Sequence, residues 1–178
     1  MGEREAMRER EAEPKQRDLY EELFRIVKEN MTRANTGKVV IRGKDQPWEQ
    51  AKQGKLKHFC HPDIKDTAAD GWLFFLHEIR TQSGRHRHQG GLAIYVVDGK
   101  GYTTVNGERV DWEEGDLILL PIMPNGVEHQ HFNTDPEKPS RWLAFIPYFL
   151  TERLGQYTTQ VEVSPDWEKI KGRDEARH

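Results

Sequence analysis

Short apolar runs follow one another about every ten residues between positions 72 and 149, with turn residues between them and no helical stretch. They occupy 72–81, 92–97, 102–105, 108–112, 116–120, 127–132 and 142–149. Asn106-Gly107 separates two of them, and that dipeptide is the strongest two-residue hairpin signal because both its residues tolerate positive φ. Asp98-Gly99 and Glu114-Gly115 punctuate others. Many short strands without intervening helices predict an all-β sandwich or barrel.

The flanks read differently. Residues 1–17 alternate acids and bases with almost nothing apolar, as a solvated tail does. Leu19, Leu23, Ile26 and Val27 then recur at helical spacing, with Asp18 placed to cap the N-terminus and Gly37 just past the end. This predicts an amphipathic helix packed on the main domain. Residues 39–41 are a short strand candidate, and 47–70 read as polar and irregular. The predicted organisation is therefore a charged tail and helix over 1–36, a β-barrel over 37–150 and a loose, charged C-terminal extension over 151–178. The core that carries the chemistry spans 71–149.

A chain of 178 residues suits one domain, and 27 basic against 30 acidic residues give a formal charge of −3. No basic surplus exists to meet a phosphate backbone, so nucleic acid is not an expected partner. One cysteine, Cys60, excludes an intramolecular disulfide framework and fits a reducing compartment. The longest apolar run, 143–150, is interrupted by Pro147 and falls short of the roughly 18 residues that a membrane helix needs. The N-terminus carries no apolar signal-like stretch. A soluble, cytoplasmic protein without membrane contact is expected.

Histidines point to the chemistry. His86 and His88 are two residues apart, and His129 and His131 repeat the spacing. Side chains two apart on a strand share a face. Two strands presenting inward imidazoles can supply three nitrogen ligands to one metal and leave positions open for substrate.

These residues resemble the cupin superfamily. Its first motif is matched by His86-Arg87-His88 and by Gly99, and its second by Pro124-Asn125-Gly126, His129 and Asn133, with Gly115-Asp116 opening that half. Three extra residues separate Gly115 from the Pro-x-Gly element. The family's glutamate ligand falls on Leu92, which cannot bind metal. The resemblance thus implies a three-histidine site of His86, His88 and His129 on a jelly-roll barrel. The surrounding text resembles three-histidine cupin dioxygenases of the gentisate dioxygenase-like group, which carry two such repeats where this chain carries one. It implies a mononuclear Fe(II) dioxygenase that incorporates O2 into a small hydroxylated aromatic substrate. Zn, Ni or Mn on the same ligands would instead imply an isomerase, lyase or hydrolase, and a cupin without catalysis would be a ligand-binding module. A homo-oligomer, dimer or tetramer, is expected from the exposed sheet faces and edges of such a barrel.

Around that site, His131 is a candidate for orienting the ligands or handling a substrate proton. Leu92, Ile94 and Val96 keep the parity of the metal face and offer an apolar wall for an aromatic ring. Trp142 and Tyr148, alternating with Ala144 and Ile146, are pocket candidates on the last strand. Arg80 and Gln89 are candidates for holding an anionic group, whereas Arg87 points away from the histidine face on a regular strand. His58-Phe59-Cys60-His61 has metal-friendly residues but lacks the ligand spacing of a structural zinc site. His58 and His61 remain candidates for the mouth of the site. His77-Glu78 begins like a metalloprotease helix but lacks the second histidine and lies in a strand run.

Overall fold

The computed structural model describes residues 18–69, 71–153 and 158–175. Among these residues eleven strands form two antiparallel sheets that face each other as a jelly roll. They are β1 (Glu49–Ala51), β2 (Gly54–Cys60), β3 (Leu73–Ile79), β4 (Arg85–His88), β5 (Leu92–Asp98), β6 (Lys100–Val105), β7 (Glu108–Glu113), β8 (Leu117–Leu120), β9 (Val127–Asn133), β10 (Ser140–Ile146) and β11 (Thr159–Glu162). The larger sheet has the order β1-β2-β3-β10-β5-β8, and the smaller β11-β4-β9-β6-β7. Among the described residues three helices flank them: α1 (Leu19–Thr36), α2 (Tyr148–Arg153) and α3 (Pro165–Glu175). No helix among the described residues is long and apolar enough to cross a membrane.

Period-two alternation builds the core. Phe75 and Ile79 of β3, Leu92, Ile94 and Val96 of β5, and Trp142 and Ala144 of β10 point inward from the larger sheet. Trp112 and Val127 meet them from the smaller one. The β6–β7 hairpin turns at Asn106 (φ 49°) and Gly107 (φ 89°), where the positive φ of both residues matches the twist of the strands.

Four expectations are corrected. Residues 39–41 form no strand, and Val39 and Val40 are 86% and 70% exposed. The polar stretch 47–70 instead holds β1 and β2, where Leu56 faces in while Lys55 and Lys57 face out, so few apolar residues sufficed. Helix α1 buries none of its residues; Asp18 caps it by accepting from the amides of Tyr20 and Glu21, but its apolar side is not packed on the barrel. The segment after Thr151 is no loose extension. β11 pairs with β4, and α3 packs on β1 and β2 with the buried Ser164 donating its amide to Lys52 O at 2.7 Å. The last core strand ends at Ile146, where Pro147 breaks the ladder.

Gly54 on β2 has φ +142°, and a Cβ there would lie 2.2 Å from His77 Nε2 across the β2–β3 pair. Gly54→Ala therefore meets backbone strain and a collision together, and is expected to cost about 2 kcal/mol or more in urea unfolding. Adding His77→Ala should recover only the part due to the collision. An unchanged midpoint for Gly54→Ala would contradict this packing.

Candidate metal centre

β4 and β9 pair so that His86 lies directly opposite His129. One residue further on each strand, the side chains turn outward, and there Glu128 accepts from Arg87 at 3.0 Å and from Arg85 at 3.3 Å. Arg85 also pairs with Glu162 of β11. These outward ion pairs span β11, β4 and β9 and hold the register that brings the inward imidazoles together. The ring centroids of His86 and His129 are 4.3 Å apart, those of His88 and His129 4.8 Å, and those of His86 and His88 5.3 Å. One nitrogen of each ring lies within 4.8 Å of its counterparts.

The second nitrogen of each ring is already engaged. Nδ1 of His86 faces Gly84 O at 3.0 Å, Nδ1 of His88 faces Gln89 O, and Nδ1 of His129 faces Val127 O at 3.4 Å. A carbonyl only accepts, so each Nδ1 carries the hydrogen and each Nε2 keeps its lone pair. Burial favours the neutral ring: it pushes His86 down to about 4, helped by the neighbouring His88, and lowers His88 and His129 as well. Three neutral imidazoles with free lone pairs and carbonyl-fixed orientation fit a divalent metal ion. Leu92, at the position of a carboxylate ligand in many such sites, is buried in the apolar core.

Two further histidines complete the interior. His131 is 1% exposed and lies 5.3 Å from His129, ring to ring. Trp112 Nε1–H donates to Thr103 Oγ1 at 2.9 Å, and that hydroxyl lies 2.7 Å from His131 Nδ1. When the Thr103 hydroxyl donates to Nδ1, the His131 hydrogen sits on Nε2; that nitrogen is buried without a partner. Trp142 Nε1–H is likewise buried and unpartnered. Its ring lies 4.7 Å from that of His131 and 4.6 Å from that of His77. His77, on β3, is 2% exposed, and neither of its nitrogens makes a side-chain hydrogen bond. The sequence offered it only as the start of an incomplete metalloprotease motif; the better signal was a lone imidazole between Phe75 and Ile79 on the inward parity of an apolar strand.

Other candidates fall elsewhere. Leu92, Ile94 and Val96 line the inward face of β5. Arg80 is exposed beyond the end of β3, with Ile79 taking the inward position, so it does not reach the interior. Gln89 spends its side-chain oxygen on the amides of Gly90 and Met123, pinning the turn after His88. Tyr148 lies on α2 rather than on the last strand. His58 and His61 stack edge to face at 5.3 Å beside Glu49 and Asp63, apart from the three-histidine group.

The stretch that builds this geometry, residues 74–146, matches the family model described as "Cupin domain". Similar known proteins include a gentisate 1,2-dioxygenase of Ralstonia sp, 42% identical over 59 residues that make up 33% of this chain and 16% of that one. An acireductone dioxygenase of Phaeosphaeria nodorum is 31% identical over 94 residues, 48% of this chain and 51% of that one. A 5-aminosalicylate 1,2-dioxygenase of Comamonas sp is 31% identical over 80 residues, 45% of this chain and 20% of that one. The chain thus spans about half or less of the length of these relatives. Among solved structures, the polyketide cyclase RemF of Streptomyces resistomycificus superposes with a TM-score of 0.52 at 20% identity, covering 72% of this chain and 89% of that one. The likeness in fold therefore extends beyond the matched stretch.

His129→Ala removes one lone pair from the group and is expected to reduce retained metal to less than about a tenth of the wild-type content by elemental analysis. Unchanged metal content would remove His129 from the ligand set. A second prediction concerns acid. His77 is pushed down to about 3 by burial, with the nearby His86 adding to the effect, whereas an unfolded histidine titrates near 6.5. Between those values the unfolded chain binds a proton there that the folded chain does not, so stability falls as pH drops through the window. His77→Leu should flatten this loss in urea midpoints measured from pH 7 to 4; parallel curves would show that His77 does not carry it.

Proposed function

We propose that the chain is a mononuclear non-haem iron dioxygenase that inserts dioxygen into a hydroxylated aromatic compound, cleaving a ring or side-chain carbon–carbon bond. His86, His88 and His129 are its metal ligands. The observation that carries this reading is the donor set: three inward imidazoles with Nδ1 against carbonyls, no carboxylate among them, and unpaired buried donors alongside. The likeness of this stretch to gentisate and 5-aminosalicylate 1,2-dioxygenases supports it. When bound, iron(II) supplies the redox chemistry through which dioxygen reacts with an electron-rich organic substrate.

The protein's own groups select and orient that substrate. Leu92 in place of a carboxylate leaves the ion's charge unbalanced by the protein, which draws a phenolate or carboxylate. Trp142 Nε1–H and His131 Nε2–H, unpaired in the interior, donate to its anionic oxygens. Thr103 holds the His131 proton on Nε2, where it is available to a developing oxyanion. Leu92, Ile94 and Val96 face the ring and keep water out.

Elemental analysis of untagged protein, expressed with iron and purified without oxygen, is expected to find about one iron per chain and oxygen uptake with a hydroxylated aromatic acid. Zinc, nickel or manganese instead, with no oxygen uptake after reconstitution with iron, would replace this reading with a non-oxidative metal-dependent reaction. Trp142→Phe keeps the ring and removes the donor. It is expected to raise KM about tenfold or more, as loss of a hydrogen bond to a charged group does, with metal content unchanged. An unchanged KM would take Trp142 out of substrate binding.

A further inference from the structure

His86 and His129 take their orientation from carbonyls that the sheet itself holds. Gly84 O, which meets His86 Nδ1, also accepts from Ser83 Oγ at 3.2 Å, and the Gly84 amide donates to Gln53 O at 2.9 Å. Val127 O, which faces His129 Nδ1, belongs to the first residue of β9, opposite His88 in the ladder. His88 differs from both. It is the last residue of β4 and only half-buried, where His86 and His129 are buried. Its Nδ1 turns forward to Gln89 O, past the end of the strand.

The turn that carries this carbonyl is soft by composition. Gly90 and Gly91 follow Gln89. A Cβ on Gly90 would lie 1.8 Å from Pro121 O, and Gly91 has φ +78°, so neither position takes another residue without strain. Glycine has the widest choice of backbone conformations, and a turn built on it needs outside bonds to keep one. At the far end the Gly91 amide donates to Leu120 O at 2.8 Å. At the near end Gln89 Oε1 accepts from the amide of Gly90 at 3.1 Å and from that of Met123 at 2.9 Å. Amides only donate, so both bonds need the side-chain oxygen of Gln89 and neither needs its nitrogen. Met123 packs against the core, and its carbonyl accepts from the Gly126 amide at 3.1 Å, which makes it a firm anchor.

We propose, taking His88 as a metal ligand, that Gln89 is a positioning residue of the metal centre: its side-chain oxygen ties the turn after β4 to Met123 and so fixes the carbonyl that aims the His88 imidazole. His86 and His129 do not depend on this tie, so Gln89 acts on one ligand of three. Loss of a group that orients a metal ligand typically lowers affinity about 10–100-fold.

Cobalt(II) is the probe, because its visible absorption reports its coordination and its uptake does not depend on which reaction the centre performs. Gln89→Met keeps the length of the side chain and removes the acceptor. It is expected to weaken cobalt binding about tenfold or more against a competing chelator and to change the visible spectrum, with circular dichroism unchanged. Gln89→Glu keeps an oxygen for both amides and should stay within about threefold of the wild type or bind more tightly. In a His88→Ala chain, Gln89→Met should cost less than about threefold more, since the residue acts only through His88. Wild-type affinity and spectrum in Gln89→Met, equal losses in Gln89→Met and Gln89→Glu, or a full further loss in the His88→Ala chain would each overturn the role of Gln89 and leave the three ligands in place. A wild type that takes up no cobalt would overturn the ligand set, and the role of Gln89 with it.

Discussion

One antiparallel register, with His86 opposite His129, sets the position of every group at the centre of this barrel. A slip of one residue would turn β4 over and send its imidazoles to solvent. The outward side chains of the same strands oppose such a slip, because Glu128 meets both Arg85 and Arg87 only in this pairing. Exposed ion pairs contribute little stability, but they discriminate between registers whose apolar burial is similar. β11, returning from the C-terminal segment, adds a second acid to Arg85 and covers the free side of β4.

The interior that results is unusual for a small barrel, with His77, His86, His129 and His131 all buried. Desolvation opposes their charged forms, so they are held neutral. Three of the group, with His88, have one nitrogen fixed by the backbone or by Thr103, which decides where the other nitrogen's lone pair or proton lies. Leaving buried donors unpaired costs stability, about 1–3 kcal/mol each. A barrel built only for stability would place apolar side chains there. The unpaired nitrogens of His131 and Trp142 are the interior groups that the proposed substrate would satisfy.

The barrel and the histidine group were legible because both rest on period two. His-x-His puts two imidazoles on one face whatever the fold around it, and turn glycines bound the strands. What the sequence left hidden has separate physical causes. Arg80 follows an inward Ile79, so its parity excludes it from the interior, and the strand's phase was not fixed by composition. Tyr148 was lost to the break at Pro147. β1 is short and polar, and β2 carries lysines on its outer side, which disguised them as loop. His77 resembled ordinary strand filling because its significance arises only from Trp142 and His131 across the barrel. Helix α1 was correctly periodic, but periodicity reports an apolar face and not what covers it.

X-ray absorption of the iron-loaded protein tests the central claim most directly, because scattering from imidazole rings counts the histidine ligands of the metal. Three imidazoles per iron at roughly 2.0–2.2 Å, falling to two in His88→Ala, are predicted. Fewer than three imidazoles in the wild type, or an unchanged count in the variant, would contradict the three-histidine centre.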